Sequence, residues 1–430
     1  MRLSWLAGGL CLQLGALAFQ PRPVSLRAQR ARQLYSSTKD AQDWLVEPMD
    51  TERAREVASS FQHEDFEPVW WAKNNNVMTI AGAGVVSDAW KKLTGAPAEP
   101  PFYDVRKQVL ARDGAEIFVD FRAADRAAGW KGEHVVVMLH GLESSTEAPQ
   151  MKRMGQAFND VGCDVAAVSF RSCAFDGETP SAPGAYHLGF TNDVQDVLRS
   201  LARNPLLPLA DEEASGKTPP APKFYLSAFS LGANVCLKLL GEYGDGEADE
   251  WAGVDVRGAA VSCVPFDPVA CSPLLSDVTF NRIVYSGNFL KTLIPKAERQ
   301  YAALGADAFP PSFSIERVRQ SKSIGDFDDA YIAPIYGFMD KWDYYATQGC
   351  FPGGYLEKIR VPAHVINAKD DPFIMDVRLP TKEDIGEAPL SLQYTQYGGH
   401  CGFLAQASQG GQMWLPRQLA RFIAHLKEQL

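Results

Sequence analysis

The sequence has no Cys-x-x-Cys pair and no regular cysteine spacing: its eight cysteines fall at positions 11, 163, 173, 236, 263, 271, 350 and 401. That scatter argues against a zinc site or a disulfide framework and leaves reduced or buried thiols. No stripe of Lys and Arg interleaved with aromatics occurs either, and the formal net charge is −10. A chain this acidic repels polyanions, so nucleic acid is not an expected partner. There is no internal repeat, and no low-complexity tract follows the leader. Hydrophobic residues at 46% and charged residues at 22% exclude both a disordered chain and a polytopic membrane protein. With 430 residues, one large domain with embellishments is the first expectation, because α/β folds hold about 250 residues or more around one sheet.

Acids are missing from the start of the chain, where Arg2, Arg22, Arg27, Arg30, Arg32 and Lys39 all precede the first one, Asp40. Arg2 leads an apolar run from Leu3 to Phe19, broken by Ser4 and Gln13 and ending in Ala16-Leu17-Ala18. This is the order of a secretory signal peptide over residues 1–18, cleaved before Phe19. The Arg-, Ser- and Gln-rich stretch that follows has the composition of an organelle transit peptide. In tandem they resemble the bipartite presequence of proteins sent to secondary plastids in algae, so residues 1–40 are expected to direct the protein to a plastid. The alternatives are secretion through the ER with a basic neck, or retention of the apolar segment as a membrane anchor.

Residues 41–105, with an amphipathic stretch and then Pro97, Pro100 and Pro101, read as an N-terminal extension wrapped on the core. The body, 106–430, opens with two strand-like runs, 108–110 and 116–121, flanking Asp113-Gly114, a dipeptide favoured in two-residue hairpin turns. Apolar, β-branched runs then alternate with helical patterns: 135–139, 165–170, 224–229, 256–263, 364–368 and 390–397. The alternation predicts an α/β fold, a mostly parallel central sheet with helices on both faces. Residues 206–222, rich in Pro, Asp and Glu, predict a surface loop. Residues 264–355 show helical patterns without a convincing strand, which predicts a helical cap inserted before the strand that leads to Asp370-Asp371.

The run Phe224-Tyr-Leu-Ser-Ala-Phe-Ser230-Leu-Gly-Ala-Asn is a strand, a turn of small residues and the start of a helix. It reads as a nucleophile elbow, whose sharp turn exposes the serine; Gly232 keeps the second glycine of G-x-S-x-G and Ala228 replaces the first. Upstream, the strand ending at Leu139 runs into His140-Gly141-Leu142-Glu143-Ser144-Ser145. In such a fold that loop gives one backbone N–H to an oxyanion hole and the residue after the nucleophile gives the other, so Leu142 and Leu231 are the candidates. Downstream come Lys369-Asp370-Asp371-Pro372-Phe373 and Gly398-Gly399-His400-Cys401-Gly402-Phe403, each just past a strand. Ser230, an aspartate and His400 thus follow the chain order of an α/β-hydrolase triad, with Asp370 and Asp371 as rival acids. His140 suits a loop-shaping role, the histidines at 63, 134, 187, 364 and 425 have no catalytic context, and Cys401 lacks an elbow and is expected to pack.

From about Asn74 to the C-terminus the chain resembles the type 4, or embryogenesis-associated, family of AB hydrolases, which includes abhydrolase domain-containing proteins 1 and 3. The likeness rests on Asp113-Gly114, His140 to Ser145, Phe170-Arg171-Ser172-Cys173, Tyr186-His187 with Gly189, Thr191 and Asp193, and Ser230 to Asn234. It continues through Phe327-Asp328-Asp329, Tyr344-Tyr345, Ala368 to Phe373 and Gly398 to Phe403. Departures are Ala228, Ser172 where Arg-Gly-Cys is usual, and Asn76 where the family tends to have histidine. Related sequences place the acid as in Asp371-Pro372-Phe373, which favours Asp371 over Asp370. The resemblance implies hydrolysis of short- or medium-chain carboxylic esters, monoacylglycerols or phospholipid acyl chains, with no metal or organic cofactor. A lipid substrate leaves membrane-surface association open. The competing readings are an esterase of small soluble esters and a catalytically inactive hydrolase fold used as a binding module.

Overall fold

The computed structural model describes residues 49–82, 100–129, 132–203, 222–246, 248–251, 253–375 and 377–430. The presequence expected over 1–40 lies outside these residues, as does the loop expected over 206–222 apart from Pro222.

Eight strands form one sheet: β1 (Val105–Leu110), β2 (Glu116–Arg122), β3 (His134–Leu139), β4 (Asp164–Ser169), β5 (Lys223–Phe229), β6 (Asp255–Ser262), β7 (Ala363–Ala368) and β8 (Leu390–Thr395). Their order is β1-β2-β4-β3-β5-β6-β7-β8. β2 runs antiparallel to both β1 and β4, and every other neighbouring pair is parallel. β4 and β7 are buried at every residue, and β3 and β5 at every residue but the first. Parallel strands covered on both faces require such unbroken apolar runs, which is why they stand out in the sequence.

The β1–β2 hairpin departs from the two-residue turn expected at Asp113-Gly114. Ala111 N–H bonds the Ala115 carbonyl and Gly114 N–H bonds the Ala111 carbonyl, with Gly114 at φ 86°. This is a three-residue loop, a tight turn followed by a left-handed glycine, and Asp113-Gly114 suits it as well as the shorter turn.

Two helices precede the sheet, α1 (Thr51–Ser60), capped by Asp50, and α2 (Asn75–Gly82). Between strands lie α3 (Pro149–Asp160), α4 (Asn192–Arg203) and α5 (Leu231–Asp245). Between β6 and β7 come α6 (Pro268–Ser276), α7 (Gly287–Leu304) and α8 (Lys341–Gln348), with short turns at Ile315–Arg319, Ile324–Phe327 and Ala333–Tyr336. No strand interrupts them among the described residues. The start of α6 has a local cause: Asp267 accepts a hydrogen bond from Ala270 N–H and Pro268 fills the first helical position. The chain ends in α9 (Trp414–Gln429).

Alternation along β3 divides the core. Val136 and Met138 face α3 and α9 through Met154, Phe158, Leu419 and Phe422, while Val135, Val137 and Leu139 face α4 and α5 through Val197, Leu198, Val235 and Leu239. At the sheet's C-terminal edge the buried Arg171 guanidinium joins the hairpin to α4, bonding Asp113 at 2.7 Å and Asp193 at 2.6 Å. Removing the cation would leave the Asp193 carboxylate buried without its partner.

Three buried histidines are held neutral. His140 Nε2 accepts Phe170 N–H at 3.1 Å, His187 Nδ1 accepts Gly189 N–H at 3.1 Å, and His364 lies between Ser391 and Gln393. Burial pushes their pKa values down, to about 4, about 3 and about 4 respectively. Because each folded value lies below the unfolded one, unfolding takes up protons below about pH 6.5, and stability falls from there toward pH 4. The expected loss between pH 7 and pH 5 is on the order of 2 kcal/mol per histidine. Urea unfolding at the two pH values measures it, and a midpoint that does not fall with pH contradicts neutral burial.

Candidate active site

Ser230 sits between the last residue of β5, Phe229, and the first of α5, Leu231. Its backbone has φ 55° and ψ −131°, a conformation strained for any residue with a Cβ. Surrounding contacts over-determine it: Ser230 N–H bonds the Ser262 carbonyl at 3.1 Å, and Ala233 N–H bonds the Ser230 carbonyl at 2.9 Å. Gly232 needs to be glycine, since a Cβ there would lie 2.4 Å from the His140 carbonyl oxygen. Ala228 does not need to be, for it lies in extended β5 opposite Leu139 and Val261, and its methyl is fully buried.

His400 brings the other two residues to the serine. Its Nε2 is 2.8 Å from Ser230 Oγ and its Nδ1 is 2.7 Å from Asp371 Oδ2. Asp371 is fully buried, and its second oxygen accepts Phe373 N–H at 2.8 Å. Asp370 points elsewhere and accepts Gly399 N–H at 2.9 Å. The neighbouring acids therefore divide the work: one meets the imidazole and the other braces the loop that carries it. Burial pushes the His400 pKa down, but the charge of Asp371 and its hydrogen bond outweigh that and leave it raised above the ordinary histidine value. The Phe373 ring stacks on the imidazole at 4.0 Å and shields one face.

The other sequence candidates fall into place around this chain of bonds. His140 Nδ1–H donates to the Gly141 carbonyl at 2.8 Å while its Nε2 accepts from Phe170, so the ring shapes its loop and is not available as a base. Cys401 N–H donates to Cys263 Sγ at 3.1 Å. Leu142 and Leu231 both line the cavity that holds Ser230 and His400, and neither backbone N–H has an acceptor among the described residues. The cavity measures about 110 Å³. Its walls are apolar, with Leu275, Phe289, Leu293 and Phe373 near the polar pair. Other bulky cap residues behave differently: Phe309 and Phe313 stack at 4.5 Å within the cap, Leu290, Ile294 and Phe338 pack on the core, and Phe280 is exposed.

Cys263, His400 and Cys401 have ligand atoms within 4.8 Å of one another. Both imidazole nitrogens are already hydrogen-bonded to Asp371 and Ser230, so a metal held there would have to displace the bond to the acid or to the serine.

Sequence reasoning missed the role of α2. His400 N–H donates to Thr79 Oγ1 at 2.9 Å, across 321 residues. A Cβ on Gly82 would lie 2.2 Å from Gly402 Cα, and one on Gly402 would lie 2.4 Å from the Met78 carbonyl oxygen. Helix and histidine loop thus meet backbone to backbone, and the only signal in the sequence is a clustering of glycines around His400. Ser172, where the resemblance expects glycine, has φ 67°, which supplies the physical reason for glycine at that position.

No family model matches the chain. It is 30% identical over 304 residues to YheT of Escherichia coli, covering 70% of this chain and 80% of that one. It is 26% identical over 314 residues to the medium-chain fatty acid ethyl ester synthase/esterase 2 of Saccharomyces cerevisiae, covering 68% and 62%. The mouse phospholipase ABHD3 is 22% identical over 344 residues, covering 79% and 74%. Likeness on this scale accompanies an eight-stranded, mostly parallel sheet with the serine on its strand-to-helix turn, and the chain belongs to the α/β-hydrolase family of YheT and ABHD3.

Proposed function

We propose that the protein is a carboxylic ester hydrolase acting through an acyl-enzyme, with Ser230 as nucleophile, His400 as general base and acid, and Asp371 orienting the imidazole. The observation that carries this reading is the pair of bonds from His400, 2.8 Å to Ser230 Oγ and 2.7 Å to Asp371 Oδ2, opening onto an apolar cavity. His400 Nε2 takes the hydroxyl proton as Oγ attacks the ester carbonyl carbon. The oxyanion that forms is received by the N–H groups of Leu142 and Leu231, and the proton passes to the departing alcohol. Water, deprotonated by the same nitrogen, then releases the acid and restores Ser230. The inactive-module reading is disfavoured because serine, imidazole and carboxylate are all present and already bonded.

For the substrate we take acyl esters of short to medium chain, with monoacylglycerols and phospholipids as the lipid cases. Support comes from the apolar walls of the cavity and from relatives named as a medium-chain ester esterase and a phospholipase.

A fluorophosphonate probe should label the wild type and leave Ser230→Ala unlabelled; labelling that persists places the nucleophile elsewhere. Asp371→Asn should lower kcat by about ten-thousandfold, with Asp370→Asn much milder, and the reverse order removes Asp371 from the role. Only neutral His400 can act as base, so kcat/KM should rise with pH through an inflection raised above the ordinary histidine value, and Asp371→Asn should move that inflection down. Each methylene buried in the cavity adds about 0.8 kcal/mol, so kcat/KM should climb several-fold per carbon from acetyl toward medium chains and then drop. Phe289→Ala should flatten the climb and spare acetyl esters. A maximum at acetyl in the wild type would favour the soluble-ester alternative.

A further inference from the structure

Large apolar side chains are left in solvent on two segments that meet beside the active site. On α2 and the segment leading into it, Trp70 is 83% exposed, and Trp71 and Val77 stand out with it. On the cap, Ile283 is 66% exposed and Phe280 is close by. The segments touch where Tyr285 O–H donates to Asn76 Oδ1 at 2.7 Å. From there a relay of rings runs inward: Phe280 to Tyr285 at 6.0 Å, Tyr285 to Phe373 at 4.9 Å, and Phe373 to His400 at 4.0 Å. The exposed apolar groups of the cap are therefore linked by ring contacts to the wall of the catalytic cavity.

Cations lie among its apolar side chains, with acids only at the flanks, where Glu67 and Asp277 are exposed. Residues 68–82 contain Lys73 and no acid, and residues 278–297 contain Arg282, Lys291 and Lys296 and no acid, in a chain whose net charge is −10. Lys73, Arg282 and Lys291 are exposed beside the apolar side chains. Large apolar groups interspersed with exposed cations match a layer with a negative surface and a hydrocarbon interior.

We infer that these two segments form one lipid-docking face, which seats the cavity mouth on an anionic phospholipid surface and takes its ester substrate from that surface. The inference deepens the ester-hydrolase reading and rests on it. Two tryptophans supply the interfacial anchor, since an indole is at home where headgroup meets acyl chain. The basic residues add an attraction that salt screens, so docking weakens as ionic strength rises.

The test uses the full chain, leader included in every variant, with phosphatidylcholine vesicles prepared with and without phosphatidylglycerol. Co-flotation measures binding, and turnover is followed on a vesicle-borne medium-chain ester and on a soluble acetyl ester. Trp70→Ser combined with Ile283→Ser should cut vesicle binding and vesicle-borne turnover by about tenfold or more, while soluble turnover stays at the wild-type level. Lys73→Glu combined with Arg282→Glu should remove the preference for phosphatidylglycerol. Each substitution made singly should give a smaller shift in the same direction, and these single variants serve if a double variant folds poorly. Unchanged vesicle binding in both double variants overturns the inference, as does an equal fall in soluble and vesicle-borne turnover, which would give the side chains a structural role. A wild type that stays off both kinds of vesicle also overturns it and leaves the face to a protein partner. Ser230→Ala separates the two readings, because it should abolish turnover and leave flotation intact. Turnover that survives in that variant is a failure of the proposed catalysis, independent of docking.

Discussion

The start of α5 lies so close to the end of β3 that Gly232 has room for a hydrogen and nothing larger against the His140 carbonyl. That approach forces the chain to reverse within one residue after β5, and the residue at the reversal is Ser230, at φ 55°. A serine elsewhere on strand or helix would be buried or would face along the surface; at the reversal its Oγ projects above the sheet, where the loops after β3, β7 and β8 converge. The unfavourable backbone angle persists because the packing of β3, β5 and β6 leaves no alternative, and the resulting fixed position is what a nucleophile needs to meet a base without reorganising.

Around that point the motif residues that take no part in bond making turn out to be fasteners. Tyr186 holds the loop after β3 by accepting Glu143 N–H at 2.6 Å, and Glu143 in turn binds Lys296 of the cap at 2.9 Å. Asn234 in α5 donates to the carbonyls of Leu188 and Gln348 and accepts Cys350 N–H, so one amide ties helix, loop and cap together. Tyr345 donates to Asp328 at 2.6 Å within the cap. Each is a buried polar group satisfied by partners distant in sequence, which is costly to lose and therefore specifies a single arrangement of the loops.

Much of this could be read from the sequence because parallel strands buried on both sides leave long apolar runs, and because an elbow demands small residues at fixed offsets. Ser230 and His400 were legible for that reason, each lying just beyond such a run. Asp370 and Asp371 were not separable on the same ground, since adjacent residues share their position and differ only in where the side chain points. The cap aromatics were opaque for a related reason: Phe289 in a cavity wall and Phe313 in a packed core are the same residue type under the same periodicity. Least legible was Thr79, which supports His400 from far away through one hydroxyl and leaves no local pattern. The turn at Asp113-Gly114 shows a milder form of the limit, where one dipeptide serves two loop lengths.

The support that Thr79 gives His400 also sets an order in time. The two residues are 321 positions apart, and at about 5–20 residues per second a ribosome takes roughly 15 to 60 s to make the second after the first. For the last 170 of those positions, from Ser230 to His400, the nucleophile elbow's serine has been made while the imidazole has not. Ser230 is thus made well before the imidazole it bonds, and the two meet only when the last strand and the loop beyond it settle onto a platform made at the beginning of the chain.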